Sequence, residues 1–316
     1  MVCVSSPGLK KISRRAIDDN LWLSLDAETR QPGLVARLPV QAMDPEILET
    51  EGAIARAQFE EIQKCASATD GHIVLVLLGG RGAQALYRLL RGLAESTAID
   101  PLLGRLHVFT QDALAPMRMD NGLSFVRDFE RQLGEEFFRK VKSFTPMRTD
   151  TDDLEGELVR YLSKIESLGG IDIFLLGLGP EADAASHLAY IKPGSGATAG
   201  DAAGLIPISS SILEHHIAKF KVGGSTITEA DEAECRNATH ILTLGPAAIL
   251  GAKRIVQSVV DAATAPGKRA SYRRVIETEI SDEPDTRAEQ LNENPGLWLR
   301  LHTNVRSLIL PDVLES

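Results

Sequence analysis

Residues 73–87 read Ile73-Val-Leu-Val-Leu-Leu-Gly-Gly-Arg-Gly-Ala-Gln-Ala-Leu-Tyr87. The first six form a continuous apolar run with several β-branched side chains, the pattern of a strand buried on both faces. Three glycines in four residues follow, and then a helical spacing through Leu86, Leu89, Leu90 and Leu93. Strand, glycine turn and helix in that order make up half of a parallel crossover unit. Glycines at such a turn let backbone N–H groups face an anion at the helix N-terminus. The turn from Gly79 to Gly82 is therefore a candidate anion site, a tight turn in which glycine merely relieves strain being the alternative.

The same rhythm recurs along the chain. Strands are expected at 106–110, 171–176, 240–244 and 305–310, the middle two ending in Gly177-Leu-Gly-Pro180 and Gly245-Pro246. Helices are expected at 45–67, with Ile47, Ile54, Ala57, Phe59 and Ile62 on the apolar side, at 125–138 and at 154–168. A further helix after Pro246 carries Ile249, Ala252, Val256, Val259 and Val260 on one face, with Pro246 suited to its first turn. The pattern predicts an α/β fold: a doubly wound, mostly parallel sheet in one domain, 45–316. Residues 1–44 are weakly periodic and read as an extension that packs on the core or caps a homo-oligomer. Residues 194–204, rich in Gly, Ala, Ser and Thr, read as a mobile loop or lid.

Composition narrows the function. With 316 residues and 43% hydrophobic side chains the chain can bury a large core. A net charge of -10 argues against nucleic acid or an acidic membrane as partner, yet a small anion needs only local donors. Cys3, Cys65 and Cys235 lie far apart and suggest reduced thiols. No apolar run approaches a membrane span, and no apolar stretch follows the basic residues near the N-terminus. These features point to a cytoplasmic protein.

In open parallel sheets, ligands bind beyond the carboxyl ends of the strands. Asp112, just past the second strand, is placed for a general base as well as for a helix cap. His187 follows the acids Glu181 and Asp183 after the third strand and can shuttle protons near neutral pH; a hydrogen bond to water would suit it equally. Gly80-x-Gly82-x-x-Ala85 fits a relaxed dinucleotide fingerprint, but Asp112 lies thirty residues past Gly82, where about 20 are wanted. A nicotinamide cofactor is therefore disfavoured. His215-His216 reads as a surface pair, since adjacent helical residues point about 100° apart and one metal rarely takes both. Trp298 and His302 read as packing and a local hydrogen bond.

Taken together, the strand ends resemble the glucosamine-6-phosphate deaminase/6-phosphogluconolactonase family over roughly residues 73–312. Gly79-Gly-Arg-Gly-Ala-Gln-Ala-Leu-Tyr87 is similar to the family's Gly-Gly-Ser-Thr-Pro phosphate loop. Val108-Phe-Thr-Gln-Asp112 resembles the strand ending in the deaminases' proton-abstracting aspartate. Leu176-Gly-Leu-Gly-Pro-Glu181 with His187 resembles the Gly-x-Gly-x-Asp-Gly-His segment, and Ile241-Leu-Thr-Leu-Gly245 resembles the next unit. Leu299-Arg-Leu-His302 with Leu308-Ile-Leu-Pro-Asp312 is similar to the deaminases' C-terminal strand.

There are departures from the family pattern. Arg81 replaces Ser-Thr-Pro, extra residues separate Glu181 from His187, and Lys192 stands where deaminases carry a glutamate. Ala248 replaces a phosphate-binding lysine, with Lys253 and Arg254 a turn later, and Lys219 stands in for a substrate-binding arginine. The resemblance implies a sugar-phosphate substrate and no metal or redox cofactor. Asp112, His187 and Glu181 are its catalytic set. Gly79, Gly80, Arg81, Gly82, Lys192, Ser195, Lys219 and Lys253 are its binding set. It implies isomerase/deaminase chemistry on an amino-hexose 6-phosphate or related sugar phosphate. A lactonase-like hydrolase and a non-catalytic sugar-phosphate-binding paralogue are the alternatives.

Overall fold

Every residue of Ile73–Leu77 is buried, and the strand is followed by a helix at Gln84–Ala94. A computed structural model describes residues 13–17, 19–24, 38–180 and 186–315. Within them, Ile73–Leu77 belongs to a seven-stranded sheet whose neighbours all pair in parallel. Its order is Glu46–Ile47, Val305–Ile309, Arg254–Val259, Ile173–Leu176, Ile73–Leu77, Leu106–Thr110 and Ser143–Thr145. Alternate side chains serve two cores, as strand geometry requires. Ile73, Leu75 and Leu77 pack with helices Glu51–Ser67, Gln84–Ala94 and Phe125–Lys140. Val74 and Val76 pack with helix Leu154–Ser167 and a second sheet. Each such side chain, fully buried, contributes about 1.5–3 kcal/mol.

The second sheet corrects one expectation. His240–Leu244 is a strand, but it belongs to an antiparallel sheet of order Ser13–Ile17, Asn20–Ser24, Ala203–Pro207, His240–Leu244 and Asp112–Ala115. The chain crosses from one sheet to the other at Gln111, whose N–H donates to the Leu77 carbonyl at 3.2 Å and whose carbonyl accepts from Leu244 N–H at 2.9 Å.

Three further expectations fail locally. The helix after Pro246 ends at Leu250, and Arg254–Val259 is a central parallel strand. Its Ile-Val-x-x-Val spacing satisfies both periods, and one turn of helix before Gly251 leaves room for a strand. The first helix begins at Glu51, capped by the Thr50 hydroxyl accepting from Ala53 N–H, because Glu46–Ile47 pairs with the sheet edge instead. Residues 194–204 are not a free lid: Ser195, Ala199, Asp201, Ala202 and Ala203 are buried. The Asp201 carboxylate accepts from Arg15, Ser24 and Thr198, and Trp22 Nε1–H donates to the Ser195 carbonyl at 2.9 Å. Small residues there permit close packing against the N-terminal strands. Trp298 is buried in the packing as read, and His302 Nδ1 accepts the local hydrogen bond from Asn304 N–H at 3.0 Å, with Nε2 2.7 Å from the Ala252 carbonyl. Among the described residues no helix is long and apolar enough to cross a membrane.

Candidate functional site

Four parallel strands deliver their carboxyl ends to one cleft of about 440 Å³. Leu78, Gly79, Arg81 and Gly82 come from the first, Gln111 from its neighbour, Gly177, Leu178 and Gly179 from the third, and Ser258 with 264–268 from the fourth. Helix Ser210–Val222 closes the side with His215, His216 and Lys219.

The glycine turn is built for close approach. Gly80 has φ 94° and ψ -165°, a region essentially reserved for glycine, and a Cβ there would collide with Lys219 Nζ. The turn is held from below: the Gly82 carbonyl accepts from Ser258 Oγ at 2.8 Å and from Gln58 Nε2 at 3.2 Å. Two helix N-termini open on the cleft, those of Arg81–Ala83 running into Gln84–Ala94 and of Gly267–Glu277.

Three cations line the cleft and two carry partners. Arg81 reaches Glu51 at 2.5 Å, and Lys268 holds both oxygens of buried Asp261 at 2.6 and 2.7 Å. Lys219 makes no hydrogen bond or salt bridge among the described residues. Burial, and then the Lys268 ammonium, pull its pKa down to about 8, against the pull of Asp261, Asp128 and Asp112. An unpaired, partly desolvated ammonium beside a glycine turn is a strong local attractor for an anion.

His187 also lines the cleft, stacked on Tyr190 with ring centroids 4.8 Å apart. The imidazole lies over Gly179, where any Cβ would overlap it. The short antiparallel pair Gly179–Pro180 and Ser186–His187 fixes that approach.

Asp112 sits at the same edge but turns away. Strand alternation sends Gln111 into the cleft and Asp112, with Thr110, into a separate space of about 10 Å³. The Phe125 ring borders both spaces. Asp112 is buried and neither carboxyl oxygen has a hydrogen-bond partner among the described residues. Burial raises its pKa to about 7, partly offset by the Gln111 carboxamide alongside and by Lys219.

The remaining candidates lie elsewhere. Glu181 lies outside the described residues. Lys253 immediately precedes the Arg254–Val259 strand and so stands at the amino edge, paired with Asp172 at 2.7 Å; reading that strand as helix puts it at the wrong end. Lys192 Nζ donates to the Pro207 carbonyl at 2.9 Å, and Ser195 is buried against Trp22; neither lines the cleft. The residues missed in sequence are Lys268, Asp261, Gln111 and His215. Ala265-Pro-Gly-Lys268 is a helix start after a strand, a signal hidden by the misread helix. Among the described residues no group of three His, Cys, Asp or Glu side chains comes together to hold a metal ion.

His216 is not the surface residue expected. It is buried, with Nε2 2.7 Å from the Leu123 carbonyl and its ring against Phe125 and Phe220. Burial depresses its pKa to about 4, so the unfolded chain binds the proton first, near pH 6.5. This group's contribution to stability is present above pH 6.5 and lost as pH falls towards 4, by on the order of 3 kcal/mol. Denaturant unfolding of wild type and His216→Phe across that window should show a steeper acid loss for wild type; parallel profiles would refute the assignment.

Fold and site together define an α/β protein with a cleft lined by Arg81, Lys219 and Lys268 at the carboxyl edge of a parallel sheet. No family model matches the chain. It is 26% identical over 140 residues to the glucosamine-6-phosphate deaminase of Porphyromonas gingivalis, covering 44% of this chain and 51% of the relative. The chain thus spans about half the length of that relative. Among solved structures, a monomeric glucosamine-6-phosphate deaminase superposes with TM-score 0.61 at 22% identity, covering 86% of this chain and 98% of the other. The 6-phosphogluconolactonase of Thermotoga maritima gives TM-score 0.58 at 17% identity, covering 85% and 99%. The chain shares the fold of the glucosamine-6-phosphate deaminases and 6-phosphogluconolactonases and is similar in sequence to part of the deaminases.

Proposed function

We propose that the chain is a sugar-phosphate enzyme of carbohydrate metabolism, of the isomerase/deaminase type, acting on an amino-hexose 6-phosphate or a related ester. The observation that carries this reading is Lys219, an unpaired ammonium against the Gly80 turn. The phosphate docks on the amides of 79–82, with Lys219 and Lys268 as countercharges. His187 transfers the proton that opens the sugar ring. The ionised form of Asp112, whose pKa is about 7, takes the C2 proton and, as the acid, returns it to C1. Water then replaces the C2 amine, leaving a ketose phosphate and ammonia. Positioned acid/base groups of this kind contribute about 10²–10⁴-fold each.

For that transfer the Asp112 carboxyl must pass the Phe125 partition. Its withdrawal favours a second reading, lactone hydrolysis, in which His187 alone activates water on the ester carbonyl. Purified protein offered glucosamine 6-phosphate and 6-phosphogluconolactone separates the two: ammonia release supports the first, lactone hydrolysis above the spontaneous rate the second. Binding of a hexose phosphate with turnover of neither would make the chain a sugar-phosphate binder. Absence of binding at millimolar ligand would overturn all three.

A further inference from the structure

Gln111 lines the cleft, is only 5% exposed, and its Oε1 has no hydrogen-bond partner among the described residues. An unpartnered buried amide oxygen is uncommon and destabilises the fold unless a ligand satisfies it. Its backbone is pinned on both sides, by Leu77 and by Leu244, so the side chain leaves a rigid junction between the two sheets. Apolar Leu78 and Phe125 and the glycine Gly177 line the same cleft as the cations Lys219 and Lys268. A neutral polar group set in an apolar wall is the usual device for fixing a ligand's orientation.

From this geometry we infer that Gln111 is the specificity-determining residue of the cleft, hydrogen-bonding a hydroxyl or amine at the non-phosphate end of the bound ester. The inference rests on the sugar-phosphate reading above. A half-turn about the terminal torsion exchanges Oε1 and Nε2, so the carboxamide can present an acceptor to an O–H or N–H donor. The oxygens of a fully ionised phosphate ester only accept, and cannot satisfy Oε1. The preferred ligand is therefore a phosphate ester that also carries a hydroxyl or amine donor away from its phosphate.

Calorimetric titration of wild type, Gln111→Leu and Gln111→Glu with inorganic phosphate, glucose 6-phosphate and glucosamine 6-phosphate tests this. Gln111→Leu should weaken both hexose phosphates on the order of 10-fold and leave inorganic phosphate within about twofold. Gln111→Glu preserves the shape and keeps an acceptor, and its charge should shift preference towards the ammonium of the amino sugar. Hexose phosphates bound as tightly by Gln111→Leu as by wild type would overturn the inference. Equal weakening of inorganic phosphate would reduce Gln111 to a structural role and overturn it too. Should Gln111→Leu fail to fold, an unchanged preference in Gln111→Glu is the overturning result. A wild type that binds none of the three ligands is a separate failure, that of the sugar-phosphate reading itself.

Discussion

Gly80→Ala is expected to remove nearly all affinity for phosphate esters. The residue sits at φ 94°, where an alanine costs about 1–3 kcal/mol, and its methyl would collide with Lys219 Nζ. Relief of both conflicts reshapes the turn and pushes away the cleft's unpaired cation. Each charge-assisted hydrogen bond lost is worth about 1.5–3 kcal/mol, so loss of two predicts a fall on the order of 100-fold or more. Lys219→Met separates the causes, because it removes the ammonium and leaves the glycine turn alone. It should lose about 10–100-fold with no loss of melting temperature, whereas Gly80→Ala should lose both affinity and stability. Affinity of the wild type should also weaken as pH rises through about 8, where the free Lys219 ammonium gives up its proton. Titration calorimetry with inorganic phosphate reads all three, and a Gly80→Ala protein with wild-type affinity would disprove the assigned cradle.

What the sequence disclosed follows from how local each signal is. The run 73–78 and its glycine turn could be read because a doubly buried strand is apolar at every position and the turn follows immediately. Residues 254–259 were missed because Ile255, Val256 and Val259 suit a helix face as well as a strand. That error hid Lys268 and misplaced Lys253 at the far edge. The small residues of 194–204 signalled mobility, but their partners, Arg15, Trp22 and Ser24, lie more than 170 positions earlier. His216 failed for the same reason, since Leu123 and Phe125 meet it only in the folded chain. Motif matching found the Asp112 position but not the direction of its side chain, which is set by where the chain changes sheets at Gln111.

That direction gives Asp112→Asn two opposite effects. In the folded protein the Asp112 carboxyl has a pKa of about 7, against an ordinary value near 3.9 in the unfolded chain. Below pH 3.9 both states are protonated and the group is neutral to stability. Between 3.9 and 7 the unfolded chain has already released its proton while the folded chain holds it, so stability falls as pH rises. Above 7 the full penalty applies, on the order of 4 kcal/mol. Asparagine does not titrate, so the variant should gain on wild type by a few kcal/mol at pH 8 and by much less at pH 4.5. Over the same change the proposed C2-to-C1 proton transfer should disappear, with hexose-phosphate affinity nearly intact. A carboxylic acid kept buried and without a hydrogen-bond partner among the described residues at such a cost is explicable if its proton is used. Denaturant unfolding at the two pH values, alongside ammonia release from glucosamine 6-phosphate, reads both effects. A stability difference that ignores pH would place the Asp112 carboxyl in water. A variant that is stabilised and still fully active would leave Asp112 outside the chemistry and move His187-driven hydrolysis to first place.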